Sequence, residues 1–108
     1  MGTRAIIKIE NIDVALYKHC DGAPDSTLPW LVEFHSDFLK NRGEDPCYEF
    51  AQLIRSSSNL KNVEKYRLGN SPYIGWGVIT FNKLDPDYMG AQYVYTLKLN
   101  GEIEVKEI

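Results

Sequence analysis

Apolar and polar positions alternate along two short stretches at the start of the chain, and the two read as paired strands. Thr3-Arg4-Ala5-Ile6-Ile7-Lys8-Ile9-Glu10 runs into a turn around Asn11-Ile12, and Asp13-Val14-Ala15-Leu16-Tyr17-Lys18-His19 returns. Pairing Glu10 with Asp13 in an antiparallel hairpin sets Ile9 against Val14, Ile7 against Leu16 and Ala5 against Lys18 on one side. The other side then pairs Ile6 with Tyr17 and Arg4 with His19. A one-residue slip would send every side chain to the wrong face, so the apolar phase specifies the register.

The period then changes to that of a helix. After the loop Asp21–Pro29, Ser26 or Thr27 can cap a helix over residues 28–41, and Pro29 suits its first turn. Leu31, Phe34, Phe38 and Leu39 recur at helical spacing as its core stripe, and Gly43 is its stop. Asp45-Pro46 opens a second helix over 46–57, with Asp45 as cap and Pro46 in the first helical position. Cys47, Phe50, Ala51 and Ile54 form its apolar face, widened by Leu53. Ser56-Ser57-Ser58-Asn59 ends it, because these side chains compete for backbone hydrogen bonds. Residues 59–72 are the least legible stretch. Leu60, Val63, Tyr66 and Leu68 hint at a short helix or irregular strand, and Gly69-Asn70-Ser71-Pro72 reads as a loop.

Strand signals return at Tyr73–Phe81 and Ala91–Leu99, separated by the connection around Asp85-Pro86-Asp87. Asn100-Gly101 supplies the positive φ angles of a type I′ turn and predicts a hairpin into Glu102–Ile108. The order ββααβββ predicts an α+β fold over residues 1–108 as a single domain. It is a two-layer sandwich, with a mainly antiparallel five-stranded sheet and two helices on one face. Ile7, Ile9, Val14 and Leu16 line the covered face.

A chain of 108 residues, 44% hydrophobic and 25% charged, has the size and composition of one ordinary folded domain. Net charge is −3, which argues against a dedicated nucleic-acid binder, since such domains carry a basic excess. One local basic run, Arg55, Lys61, Lys65 and Arg67 against Glu64, reads as a solvated loop, with a phosphate-contacting patch as the alternative. No apolar stretch approaches the ~20 residues of a membrane span. Arg4 and Lys8 interrupt the opening apolar residues, so no secretory signal is expected. Cys20 and Cys47 form no paired motif and are expected to be free thiols, consistent with a cytoplasmic location.

The hairpin register gathers one polar group, Arg4, Tyr17, His19 and Asp21, at one end of the hairpin. Asp21 can orient the His19 imidazole or hold its charge. Arg4 can bind a phosphate or carboxylate, and Tyr17 adds a hydroxyl or a stacking face. A purely structural reading competes with this one: Asp21 can cap its own turn through an Asx bond, with Arg4 in a surface ion pair and His19 an exposed strand residue. A second candidate is a trough on the strand Tyr73-Ile74-Gly75-Trp76-Gly77. Gly75 and Gly77 share one face, Trp76 takes the other, and Tyr93 and Tyr95 on a neighbouring strand can wall the trough. Close helix approach and cross-strand aromatic packing are its structural alternatives.

His35 reads as a helix-flank residue. His19, Cys20, Asp21, His35 and Cys47 match no structural zinc spacing, so no metal or cofactor is expected. Cys20 beside His19 does not make a nucleophile–base pair, because adjacent strand side chains diverge. Cys47 sits on the apolar stripe and reads as core.

The opening Met-Gly-Thr-Arg and the element Tyr17-x-His19-x-Asp21-Gly22-x-Pro24 resemble a group of short uncharacterised proteins of prokaryotes and their viruses, and Tyr93-Val94-Tyr95 is similar to their strand near the C-terminus. The group often carries an aromatic residue where this chain has Cys20. The resemblance implies that the hairpin end is one unit; it implies no activity.

These patterns favour a small cytosolic non-catalytic binding or interaction protein. The alternative is a small enzyme or anion-ligand sensor built on Arg4, Tyr17, His19 and Asp21. The expected partner is a small anion or a protein, not nucleic acid or a membrane, and an exposed edge strand offers a route to a homodimer.

Overall fold

The computed structural model describes residues 3–19, 22–57, 76–80 and 91–107. Cys20, Asp21, Gly75, residues 59–72 and Asp85-Pro86-Asp87 lie outside the described residues. The opening stretches form β1 (Ala5–Ile9) and β2 (Val14–Lys18), paired antiparallel. Ala5 lies opposite Lys18, Ile6 opposite Tyr17 and Ile7 opposite Leu16, the register specified by the apolar phase. Asn11, at φ 71°, carries the reversal between them. Asparagine tolerates the left-handed region better than other non-glycine residues.

Helix α1 spans Pro24–Asn41, starting earlier than the sequence pattern predicts. Ala23 precedes it, Pro24 takes the first helical position, and Ser26 and Thr27 both donate their backbone N–H to the Ala23 carbonyl. Pro29 thus lies inside the helix rather than in its first turn. Gly43, at φ +88°, donates to the Leu39 carbonyl and stops α1, as expected. Helix α2 spans Pro46–Ser57, and Asp45 caps it by accepting from the Tyr48 N–H at 3.3 Å. Its buried face is Glu49, Leu53 and Ser57, with Phe50 half-buried. Cys47, Ala51 and Ile54, expected on that face, are exposed. Apolar content alone misplaces the stripe here, because Glu49 is turned inward by a partner on α1.

The remaining strands are β3 (Trp76–Thr80), β4 (Tyr93–Leu97) and β5 (Ile103–Glu107), and the sheet order is β3-β2-β1-β4-β5. Every neighbouring pair is antiparallel except β1 and β4, which run parallel with Ala5 beside Tyr93 and Ile9 beside Leu97. The fold is therefore α+β with a mixed, mainly antiparallel five-stranded sheet.

Both helices pack on one face. Leu31 of α1 and Leu53 of α2 join Ala5, Ile7, Ile9, Leu16, Tyr95 and Leu97 in the main core. Burying each of the leucines and isoleucines contributes about 1.5–3 kcal/mol. Because β1 is the central strand, its other phase is buried as well. Ile6, Ala15, Tyr17, Ile79 and Ala91 form a second apolar cluster on the face away from the helices.

The β4–β5 connection differs from the expected type I′ turn. Gly101 is at φ +98°, but Asn100 is not in the positive region. The Gly101 N–H donates to the Lys98 carbonyl and the Lys98 N–H to the Glu102 carbonyl, giving a three-residue loop with a bulge at Gly101. Asn100 Oδ1 accepts from the Glu102 N–H at 3.0 Å, and Glu10 Oε1 accepts from the Leu99 N–H at 2.9 Å. These two side-chain acceptors stabilise the longer loop.

Candidate functional site

The hairpin register carries Arg4 to a position beside His19, since Ala5 and Lys18 are already paired. Tyr17 and His19, two residues apart on one strand face, meet directly: the Tyr17 hydroxyl and His19 Nδ1 are hydrogen-bonded at 2.8 Å. Their rings sit 5.8 Å apart and tilted by 59°. Tyr17 is buried in the second apolar cluster, His19 is half-buried and Arg4 is exposed. Among the described residues Nδ1 is held by Tyr17, so Nε2 is the ring atom that can address a ligand. Asp21, the fourth member, lies outside the described residues.

Gly22, just beyond, explains the Asp-Gly signal in another way. Its N–H donates to the Thr3 carbonyl at 2.8 Å, and the buried Tyr95 hydroxyl donates to its carbonyl. A β-carbon at Gly22 would lie 2.7 Å from Ala5 Cβ and 2.8 Å from the Thr3 carbonyl oxygen. The glycine permits close approach to β1. Burial pushes the Tyr95 hydroxyl up to about 12, so it remains a donor across the whole working range of pH.

The Gly75–Trp76–Gly77 trough is not closed by Tyr93 and Tyr95. β2 and β1 stand between β3 and β4, so the tyrosines are not on a neighbouring strand. Tyr93 and Tyr95 also point into the helix-side core, as Trp76 does. Gly77 pairs with Tyr17 and lies on the other face, where the space beside it is bounded by the Tyr17 ring. Gly75 is outside the described residues.

Two buried polar arrangements escape sequence reasoning. Lys18 pairs with Ala5 on the helix side and is 7% exposed. Its ammonium donates to Thr27 Oγ1 at 3.2 Å and lies 5.7 Å from the Trp30 ring and 5.6 Å from the Trp76 ring. The second centres on His35, which is buried, unlike the helix-flank residue expected. Its Nδ1 meets Glu49 Oε2 at 2.6 Å, and its Nε2 donates to the Lys98 carbonyl at 2.8 Å. Burial alone lowers the His35 pKa. The Glu49 hydrogen bond, the Lys98 carbonyl and the carboxylate charge outweigh it, and the pKa stands above the ordinary 6.5. This triad links α1, α2 and the β4–β5 loop. Each partner comes from a different element, so local spacing carries no signal of it.

A groove of about 810 Å³ runs between α1 and α2. Trp30, Phe34, Phe38 and Tyr48 supply apolar walls, with Arg42 and Arg55 among the lining residues. Glu33 and Asp37 add acidic groups along α1. The groove is preformed. Trp30 Nε1 donates to Ser56 Oγ at 2.8 Å, tying the helices together at one end. At the other end the Arg42 guanidinium lies 4.0 Å from the Tyr48 ring centre and 3.3 Å from the Asp45 carboxylate. None of Arg4, Tyr17 and His19 lines it. Phe34 and Phe38, expected in the core stripe of α1, line this groove, and its formation depends on how the helices pack.

Among the described residues, no three His, Cys, Asp or Glu side chains come together as a metal-binding group, and Cys47 is an exposed free thiol. No helix among them is long and apolar enough to cross a membrane. Comparison with protein-family models, with curated proteins and with solved structures finds no match for this chain.

Proposed function

We propose that this protein is a small non-catalytic binding module whose seat is the groove between α1 and α2. The carrying observation is the preformed groove itself. At about 810 Å³ it falls within the ~300–1,000 Å³ typical of ligand sites. Its walls combine aromatic rings, the side chains that dominate interface energetics, with arginines. An elongated seat along two helices suits a segment of a partner protein with apolar anchors and flanking charges. We place the protein in the cytoplasm of a prokaryote or of a cell carrying its virus. Support comes from two cysteines without a pairing pattern and from the Tyr-x-His-x-Asp-Gly-x-Pro resemblance.

The second reading is a small anion site or acid–base centre at Arg4, Tyr17, His19 and Asp21. The Tyr17–His19 hydrogen bond, with Arg4 beside it in register, favours it. One experiment separates the two. Tagged wild type, Tyr48→Glu and the double variant Arg4→Ala/His19→Ala are compared for retention of binding partners from a cell extract. They are also compared by NMR titration with phosphate and acetate. Binding lost only in Tyr48→Glu supports the groove. Anion-induced shifts lost only in the double variant support the second reading. Retention unchanged in Tyr48→Glu refutes the first.

A further inference from the structure

We infer that β5 is a self-pairing edge, and that two copies of this chain join through it into one continuous sheet. Among the described residues β5 is the last strand of the sheet and pairs only with β4. Which of its backbone groups are free follows from hydrogen-bond phase. The Lys98 N–H bonds the Glu102 carbonyl, so Glu102 faces β4. Bonded residues alternate along an antiparallel strand, so Glu104 and Lys106 also face β4. The N–H and C=O groups of Ile103, Val105 and Glu107 point the other way, toward the open edge. The opposite side of β4 confirms the phase: the Tyr93 N–H and Leu97 carbonyl bond toward β1.

The occupant is a second β5, because the strand is self-complementary in charge. An antiparallel pair about a twofold axis at Val105 matches every outward group. Val105 bonds Val105 of the partner subunit, and Ile103 bonds Glu107 of the partner subunit, in both directions. Glu104 then faces Lys106 of the partner subunit in a non-bonded pair, where cross-strand side chains approach most closely. Moving the axis to Glu104 would set the two glutamates against each other, and moving it to Lys106 would set the two lysines against each other. Charge therefore selects the Val105 axis. Glu104 already lies 3.7 Å from Lys98 of its own chain, and Lys106 of the partner subunit would approach it from the open side. Val105, 38% exposed, would meet its own copy. The strand has no proline, and its charges are of both signs, so they pair with a second β5 rather than repel it.

The test is sedimentation equilibrium over a range of protein concentrations, with thermal melting of each variant as the folding control. Wild type should show a reversible monomer–dimer equilibrium. Val105→Pro removes an outward N–H and no bond to β4, so it should be monomeric. Lys106→Glu should raise the dimer dissociation constant about tenfold or more, and Glu104→Lys combined with Lys106→Glu should restore it. Val105→Cys, with Cys20 and Cys47 replaced by serine, should oxidise to a covalent dimer, since the paired Cα atoms would be ~5.5 Å apart. A wild type that stays monomeric at millimolar concentration overturns the proposal. So does a dimer indifferent to the charge reversals and to Val105→Pro. The inference is independent of the helix groove, and Tyr48→Glu should leave the dimer intact.

Discussion

Glu49→Leu probes the joint between the two helices most directly. Glu49 and His35 are each 1% exposed, and their polar atoms meet at 2.6 Å. With Nε2 donating to the Lys98 carbonyl and Nδ1 against the carboxylate, the surroundings favour the doubly protonated imidazole, whose pKa stands above 6.5. Removing the carboxylate leaves two states. A charged imidazolium stripped of its counter-ion costs about 3–5 kcal/mol. A neutral imidazole keeps the Lys98 bond but buries Nδ1 without a partner, at about 1–3 kcal/mol. The variant adopts the less costly state, so a loss of about 1–3 kcal/mol is expected at neutral pH, against a total stability of ~5–15 kcal/mol. Replacing both residues with leucine removes both charges and should recover part of it, giving a coupling of about 1–3 kcal/mol in a double-mutant cycle. Urea unfolding followed by tryptophan fluorescence measures each variant. A loss under about 0.5 kcal/mol for Glu49→Leu would refute the reasoning, because that is the range of ordinary surface substitutions.

The same pair fixes the sign of the pH dependence. A group whose folded pKa is raised adds stability that is fully present below its unfolded value and lost as pH rises through the folded value. His35 is raised above 6.5, so wild type should lose stability as pH climbs above about 6.5. Glu49→Gln keeps the shape and can donate an amide N–H to a neutral Nδ1. Burial then dominates, and the variant's stability should rise with pH up to about 6.5 and level off. Parallel pH profiles for the two proteins would contradict the assigned protonation.

Gly22→Ala should destabilise by about 1–3 kcal/mol through overpacking against Ala5 and the Thr3 carbonyl; an unchanged urea midpoint would show that β1 can yield there. Gly101→Val should lose about 1–2 kcal/mol or more, read by thermal melting, because a β-branched residue resists φ +98°. Cys47 is exposed, so a thiol reagent should label it in the native protein without denaturant, and mass spectrometry of the digest should locate the adduct there.

What was legible in the chain was local. The β1–β2 register followed from period-two alternation around a short turn. The stop of α1 and the start of α2 followed from Gly43 and Asp45-Pro46, whose backbone preferences need no tertiary context. The meeting of Tyr17 and His19 followed because residues two apart on a strand share a face. The illegible parts were settled between elements. The inward turn of Glu49 depends on His35, fourteen positions away and on another helix. The strand order depends on β4 inserting beside β1, which no turn signal encodes. Asn100-Gly101 suits either a two-residue or a three-residue loop, and the choice rests partly on Glu10 from a distant hairpin. Lys18 was placed correctly on the core side by register, yet its burial depends on Trp30 and Trp76 converging from α1 and β3.

The sheet separates the two candidate seats physically. Side chains alternate across a strand, so Tyr17 and His19 address the face away from the helices while Lys18 addresses the helix side. The groove is lined by residues of α1 and α2 and by Arg42, and no member of the Tyr17 cluster lines it. Well-separated sites respond additively to substitution. A Tyr48→Glu variant and an Arg4→Ala/His19→Ala variant should therefore act independently, in stability and in binding. If a single ligand proves sensitive to both, neither surface alone is its seat. Coupling would then have to run through β1 and β2, the strands that carry both faces.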